Sequence, residues 1–188
     1  MSIGGIIGIV IAAIAVLCVI WFIATYNGFV KLRNQVKEAF STMDVYLKKR
    51  FDLIPNLVET VKGYAAHESE TLQKVTEARS AISRAGSVEE RMASENMVSG
   101  ALKSLFAVSE GYPDLKANAN FMDLQSQLKQ VENDIASSRK YYNAVVREYN
   151  TKQEVFPANI VGNMMHLERA NMYEVEGEEE RQNVQVKF

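Results

Sequence analysis

The chain has 188 residues, with 21 basic and 23 acidic side chains and a formal net charge of −2. That balance excludes the strongly basic composition of a general nucleic-acid binder, and a hydrophobic content of 47% excludes an intrinsically disordered chain. The single cysteine, Cys18, excludes a disulfide within one chain.

The charges are unevenly spread. No Asp, Glu, Lys or Arg occurs between Met1 and Val30, and Ile3 to Ile23 is an almost unbroken run of Ile, Val, Leu, Ala and Gly. At ~1.5 Å per residue such a run crosses the ~30 Å hydrocarbon layer of a bilayer. Its Ile, Leu, Val and Phe side chains favour insertion by roughly 4 to 8 kcal/mol. A cleaved signal peptide fits less well, because Met1 and Ser2 supply no basic n-region and the formal Ala-x-Ala, Ala13 to Ala15, lies in mid-run. Residues 1–28 are therefore expected to be a transmembrane anchor in contact with the lipid bilayer. Cys18 follows Leu17 rather than a small residue and reads as an apolar filler, not as a lipid attachment site.

Basic residues lie on the C-terminal flank of this run, first Lys31, Arg33 and Lys37, then Lys48, Lys49 and Arg50, whereas the N-terminal flank offers only the α-amino group. The positive-inside rule then places the N-terminus outside and the remaining chain in the cytoplasm, on the inner membrane. Within the run, Gly4, Gly8, Ala12 and Ala15 are spaced by four, four and three and form a small-residue stripe, where membrane helices approach closely. The stripe is a candidate surface for a homo-oligomer.

The rest of the chain is long enough for one domain with its own core, expected over 29–170. From Val36 the apolar positions run Val36, Phe40, Met43, Leu47, Phe51, Ile54, Val58, Val61 and Ala65, spaced by threes and fours as on one helical face. Pro55 interrupts the run without changing its phase, which predicts a continuous or gently bent helix. Ser69 to Ala85 is a second helix with Leu72, Val75, Ala78 and Ile82 on one side, and Gly86 ends it. Ser87 with Glu90 forms a capping box for a third helix reaching about Ser109. Glu110 to Pro113 supplies a break. The last long helix, about Asn118 to Gln153, repeats Phe121, Leu124, Leu128, Val131, Ile135, Ser138, Tyr142, Val145 and Tyr149 at alternating threes and fours, a heptad seam of coiled-coil type. Phe156 and Pro157 stop it, and a shorter helical piece follows from about Asn159 to His166. The acidic stretch Glu174 to Glu180 reads as part of a solvated tail, 171–188, with Val184, Val186 and Phe188 hinting at a strand or a docking peptide.

No period-two run with bracketing turn signals occurs in the soluble part. The expected fold is all-α, an N-terminal transmembrane helix followed by an elongated antiparallel helix bundle. Its chemistry is conspicuously sparse. Paired-metal bundles need Glu-x-x-His, but Tyr64 and Asn163 precede His67 and His166 by three, and the His67-Glu68 pair lacks a second histidine at Thr71. Phosphate loops and nucleophile elbows are absent from the sequence. No catalytic residue, cofactor site or metal ligand is expected. Lys48, Lys49 and Arg50 form a basic cluster that could meet acidic lipid or a partner, weighed against an ordinary solvated face. The mixture of Arg139, Lys140, Tyr141, Tyr142, Arg147 and Tyr149 imitates a single-strand nucleic-acid site. Tyr142 and Tyr149 sit on the seam, however, so core packing is the better reading and nucleic acid is not an expected partner.

Several motifs carry a family resemblance. They are Asn27 with Leu32 to Val36, then Arg50-Phe51-Asp52-Leu53-Ile54-Pro55-Asn56-Leu57-Val58, then Val61 to Tyr64 with His67 and Glu68. Further along come Tyr112 to Lys116, Leu124, Gln125, Glu132, Asn133, Ile135, Arg139, Tyr142, Asn143, Val146, Tyr149, Asn150, Phe156, Pro157, Asn159 and Ile160. Together they resemble the bacterial LemA family from the anchor to about Ile160. After Phe-Pro the family usually carries a Gly-Phe segment, whereas this chain has Asn163, Met164, Met165 and His166. The resemblance implies a one-span protein with a cytoplasmic helical bundle and no enzymatic activity, acting as a membrane-organising scaffold or adaptor. Its alternative implication is a regulatory or ligand- or lipid-sensing subunit of a membrane complex such as a membrane protease.

Overall fold

The computed structural model describes residues 3–173, apart from the side chains of Val88 and Glu89. The chain is all-α: α1 (Ile3–Lys62), α2 (Ser69–Arg84), α3 (Val88–Ser109), α4 (Pro113–Lys116), α5 (Ala119–Glu154) and α6 (Ala158–Met164) follow one another, with no strand among the described residues. The tail from Glu174 onward, including Val184, Val186 and Phe188, lies outside the described residues.

Local chemistry explains where these helices start and stop. Ser87 caps α3, its hydroxyl accepting from the Glu90 N–H at 3.1 Å. Glu90 returns to the Gly86 N–H at 2.7 Å, one residue earlier than a standard capping box places it. The Asn118 side chain accepts from the Phe121 N–H at 3.0 Å and so opens α5. The expected break before α5 contains the single turn α4, with Pro113 in its first turn, where a missing N–H costs nothing. After α6 the chain turns at His166, which adopts a left-handed φ of 49°.

Pro55 lies inside the continuous helix α1. A proline has no N–H, so the carbonyl four residues earlier, that of Phe51, loses its helical donor. Arg79 of α2 supplies a replacement: its Nε donates to the Phe51 carbonyl at 3.3 Å, and its guanidinium lies 3.9 Å from the centroid of the Phe51 ring.

Contacts divide the chain into two units, one of Met1–Thr42 with Lys140–Met172, the other of Met43–Arg139 with the stretch that starts at Tyr173. In the first unit, residues 3–21 are exposed, with Ile3 at 78% and Leu17 at 64%. An 18-residue window of this helix has a mean hydropathy of 3.2, so by length and composition it is able to cross a membrane. Below it, Phe29, Leu32, Tyr149 and Val161 form a small buried cluster flanked by Phe22, Val36, Met165 and Leu167. Phe40 meets Tyr142 edge to face at 5.9 Å, and Lys152 lies 5.1 Å from the Phe29 ring centroid. These pairings run α1 and α5 antiparallel within the unit. Asn150 clamps the segment after α6, donating to the Ala170 carbonyl at 2.9 Å and accepting from the Ala170 N–H at 3.0 Å.

In the second unit Ile54, Leu57, Val61, Ala65, Leu72, Val75, Ala78, Val98, Leu102, Leu105, Leu115, Phe121, Leu124 and Leu128 form one core. All nine residues of the α5 seam are buried across the two units. On α1 the buried phase is Met43, Leu47, Arg50, Ile54, Leu57 and Val61, while Phe51 and Val58 are only partly buried. The strip expected through Phe40, Phe51 and Val58 therefore needs correction by one position at each of these sites, where Ala39, Arg50 and Leu57 are the buried residues.

Candidate functional site

The most unusual side chain in this core is charged. Arg50 is 0% exposed, and its partners come from two other helices, Glu95 and Ser99 of α3 and Glu132 of α5. Nη1 donates to Ser99 Oγ at 2.6 Å and to Glu132 Oε1 at 2.6 Å. Nη2 donates to the Glu95 carbonyl at 3.0 Å and pairs with Glu95 Oε2. The planar fork of a guanidinium can serve several acceptors at once, as an ammonium on the same stem cannot.

Helical periodicity brings these groups together. Arg50 stands in phase with Leu47 and Ile54, and Glu95 in phase with Val98, Leu102 and Leu105, so each occupies a position its neighbours fill with apolar side chains. Glu132 follows Val131 at the edge of the α5 seam, and its side chain stays 37% exposed. Burial lifts the Glu95 carboxyl above the usual glutamate range, although Arg50, and more distantly Arg91 and Arg139, oppose the shift. For Arg50 burial acts against the charge, but the carboxylates of Glu132 and Glu95 outweigh it and hold the guanidinium firmly protonated. Arg50 Nε and Glu95 Oε1 are buried without a hydrogen-bond partner among the described residues.

Further pairings flank the network. Arg91 pairs with Asp44, and Arg139 packs on Tyr173, its guanidinium 4.2 Å from the ring centroid and donating to the phenol oxygen at 3.0 Å. Beside the network a groove of about 630 Å³ opens between α3 and α5. Ser99 and Glu132 stand at one end, Leu102, Phe106, Met122 and Leu128 supply apolar wall, and Lys103 and Lys129 reach its rim. Arg50 cannot exchange protons near neutral pH, so its part in the arrangement is to hold its partners in place.

The residues singled out in the sequence distribute as follows. Lys48 and Lys49 are exposed, Lys48 pairing with Asp52 at 2.8 Å, whereas Arg50 points inward. The basic cluster is thus corrected to two surface lysines and one core arginine, because adjacent helical residues diverge by about 100° around the axis. Gly4, Gly8, Ala12 and Ala15 are all exposed, and the space beside Gly4 and Gly8 is open. His67 and His166 lie at the surface, and no group of His, Cys, Asp and Glu able to hold a metal ion occurs among the described residues. Sequence reasoning missed Glu95 and the burial of Arg50. The signal was the strict four-three phase from Met43, which falls on residue 50 rather than 51.

Known proteins share this sequence pattern. The chain is 27% identical over 150 residues to Protein LemA of Metamycoplasma hominis, covering 78% of this chain and 67% of that protein. It is also 27% identical over 191 aligned positions to Magnetosome protein MamQ 2 of Paramagnetospirillum magneticum, covering 86% of this chain and 70% of the relative. Magnetosome protein MamQ of Magnetospirillum gryphiswaldense is 24% identical with the same coverage. None of these names is that of an enzyme. The LemA family model matches residues 39–188, most of the chain, including Arg50, Glu95 and Glu132. The chain belongs to the LemA family.

Proposed function

We propose that the protein is a non-catalytic, membrane-anchored scaffold or adaptor that self-associates through its anchor. The observation carrying this reading lies within the first unit, where one helix holds both an exposed apolar stretch and, at Phe29 and Leu32, part of a buried cluster. An anchor joined by helix rather than by a loose linker to such a cluster keeps it close to the membrane. Lys31, Arg33 and Lys37 beyond the stretch favour a cytoplasmic domain on the inner membrane of a bacterium. Relatives named for the magnetosome are in keeping with a role at a membrane.

The α3–α5 groove favours a second reading, a ligand- or lipid-sensing or regulatory subunit of a membrane complex such as a protease. Its apolar wall and basic rim suit an amphipathic anion. Both readings are separated by crosslinking in native membranes followed by mass spectrometry. A scaffold gives crosslinks between copies of the chain and to membrane partners, while crosslinks confined to one enzyme subunit favour the regulatory role. Topology is tested independently: added protease should spare the domain in intact spheroplasts and cut it once the membrane is opened, and cleavage before opening overturns the cytoplasmic placement.

A further inference from the structure

We propose that the α3–α5 groove is occupied by the chain's own acidic segment, Glu174 to Glu180. The proposal concerns the second unit alone and does not depend on the anchor. Three observations converge on it.

The first is where the described chain stops. Tyr173 is 3% exposed and is held by Arg139, which stacks on its ring and donates to its phenol oxygen. Arg139 lies on the same stripe of α5 as the groove residues, since Gln125, Lys129, Glu132, Ala136 and Arg139 follow one another by four, three, four and three. Glu132 is two helical turns from Arg139, about 10 Å at ~1.5 Å per residue. The following residues therefore start next to the Ser99–Glu132 end of the groove, and about three extended residues cover the distance.

The second is charge. Lys103 and Lys129 line the groove, and neither has an ion-pair partner among the described residues. The one carboxylate on the lining, Glu132, is already committed to Arg50. Arg50 is shared between Glu95 and Glu132, so with Lys103 and Lys129 the groove and the network beneath it carry three positive charges against two negative ones and are electropositive. The sequence after Tyr173 reads Glu-Val-Glu-Gly-Glu-Glu-Glu, the densest acidic run in the chain.

The third is length. The lining on α5 runs from Met122 to Asn133, about 16 Å at ~1.5 Å per residue, which five extended residues span. Three residues to arrive and five to fill bring the groove to the region of Glu180. A segment tethered in this way competes at high effective concentration with any acidic peptide presented by another molecule.

The test is disulfide trapping in the full chain, solubilised in mild detergent, with Cys18→Ala as background. Lys103→Cys paired with Glu178→Cys, and separately Lys129→Cys with Glu176→Cys, are oxidised under mild conditions. Both groove positions are polar and at the rim, so neither substitution opens the core. The expected result is bond formation within one chain at a yield at least ~10-fold above that of a control pair, Lys74→Cys with Glu178→Cys. Yield should fall several-fold in 1 M salt, where ionic attraction is screened. Equal yields for groove and control pairs overturn the proposal. So does a bond that forms between chains when the two single-cysteine proteins are mixed, since the occupant is then a second copy.

Discussion

Arg50 is an arginine in a position its helix otherwise fills with Leu, Ile and Met. Its burial stabilises the fold only while its partners are present, because removing one member of a buried ion pair leaves an uncompensated charge. Arg50→Ala is expected to cost roughly 3–5 kcal/mol, the usual range for breaking such a pair, with urea unfolding in micelles as the measurement. Arg50→Lys should recover little of this, since one ammonium cannot reach Ser99, Glu95 and Glu132 together. Replacing both Arg50 by Met and Glu95 by Leu should destabilise less than Arg50→Ala alone; greater damage from the double change would show that the network contributes more than mutual neutralisation. Glu95 carries a separate expectation. Its carboxyl is raised in the folded protein, so the folded state prefers the protonated form. The corresponding stability is fully present below the ordinary glutamate value of 4.5 and is lost as pH rises through the raised one. Melting temperatures of the parent and Glu95→Gln, compared from pH 4 to pH 8, should show the parent falling relative to the variant as pH increases. A constant difference across that range would mean that Glu95 ionises as it does in water.

The helices themselves were readable because burial here follows a three-four repeat of apolar residues. The α5 seam from Phe121 to Tyr149 is buried in full, and Ser87 caps α3 as its sequence indicates. What periodicity could not reveal is a polar side chain occupying an apolar position, and for that reason Arg50 and Glu95 escaped a reading based on hydrophobicity. The choice of Phe51 over residue 50 has the same origin: an aromatic ring looks like core until its neighbour is known to be paired. Nor could sequence connect Arg79 with Phe51, because the need arises only once Pro55 is built into an unbroken helix. That contact carries a prediction. Arg79→Ala removes the donor to a carbonyl stripped of its helical partner together with the guanidinium over the ring, and should cost about 1–3 kcal/mol. Hydrogen exchange should rise in residues 51–59 while the far end of α5 is unaffected. If Pro55→Ala, which restores the N–H, rescues Arg79→Ala by part of this amount, the carbonyl repair is the cause; an absence of rescue assigns the effect to ring packing.

At the scale of the whole molecule, the exposed apolar stretch and its small-residue stripe bear on assembly. Gly8→Ile with Ala12→Ile should shift detergent-solubilised protein to a smaller species in size-exclusion with light scattering, leaving helicity unchanged. A parent already monomeric in several mild detergents would remove the support for assembly through this face. The buried arginine also has a meaning in time. Its two carboxylate partners stand 45 and 82 residues further along the chain. At a translation rate of roughly 5–20 residues per second, Arg50 is made about 4–16 s before Glu132. Throughout that interval α1 offers a charge where its core face should be dry, and the second unit cannot close on it. A nascent chain stalled before residue 132 should therefore remain open to protease at Met43–Lys62 even when its apolar stretch has already entered the membrane, and synthesis of α5 should bring protection in a single step.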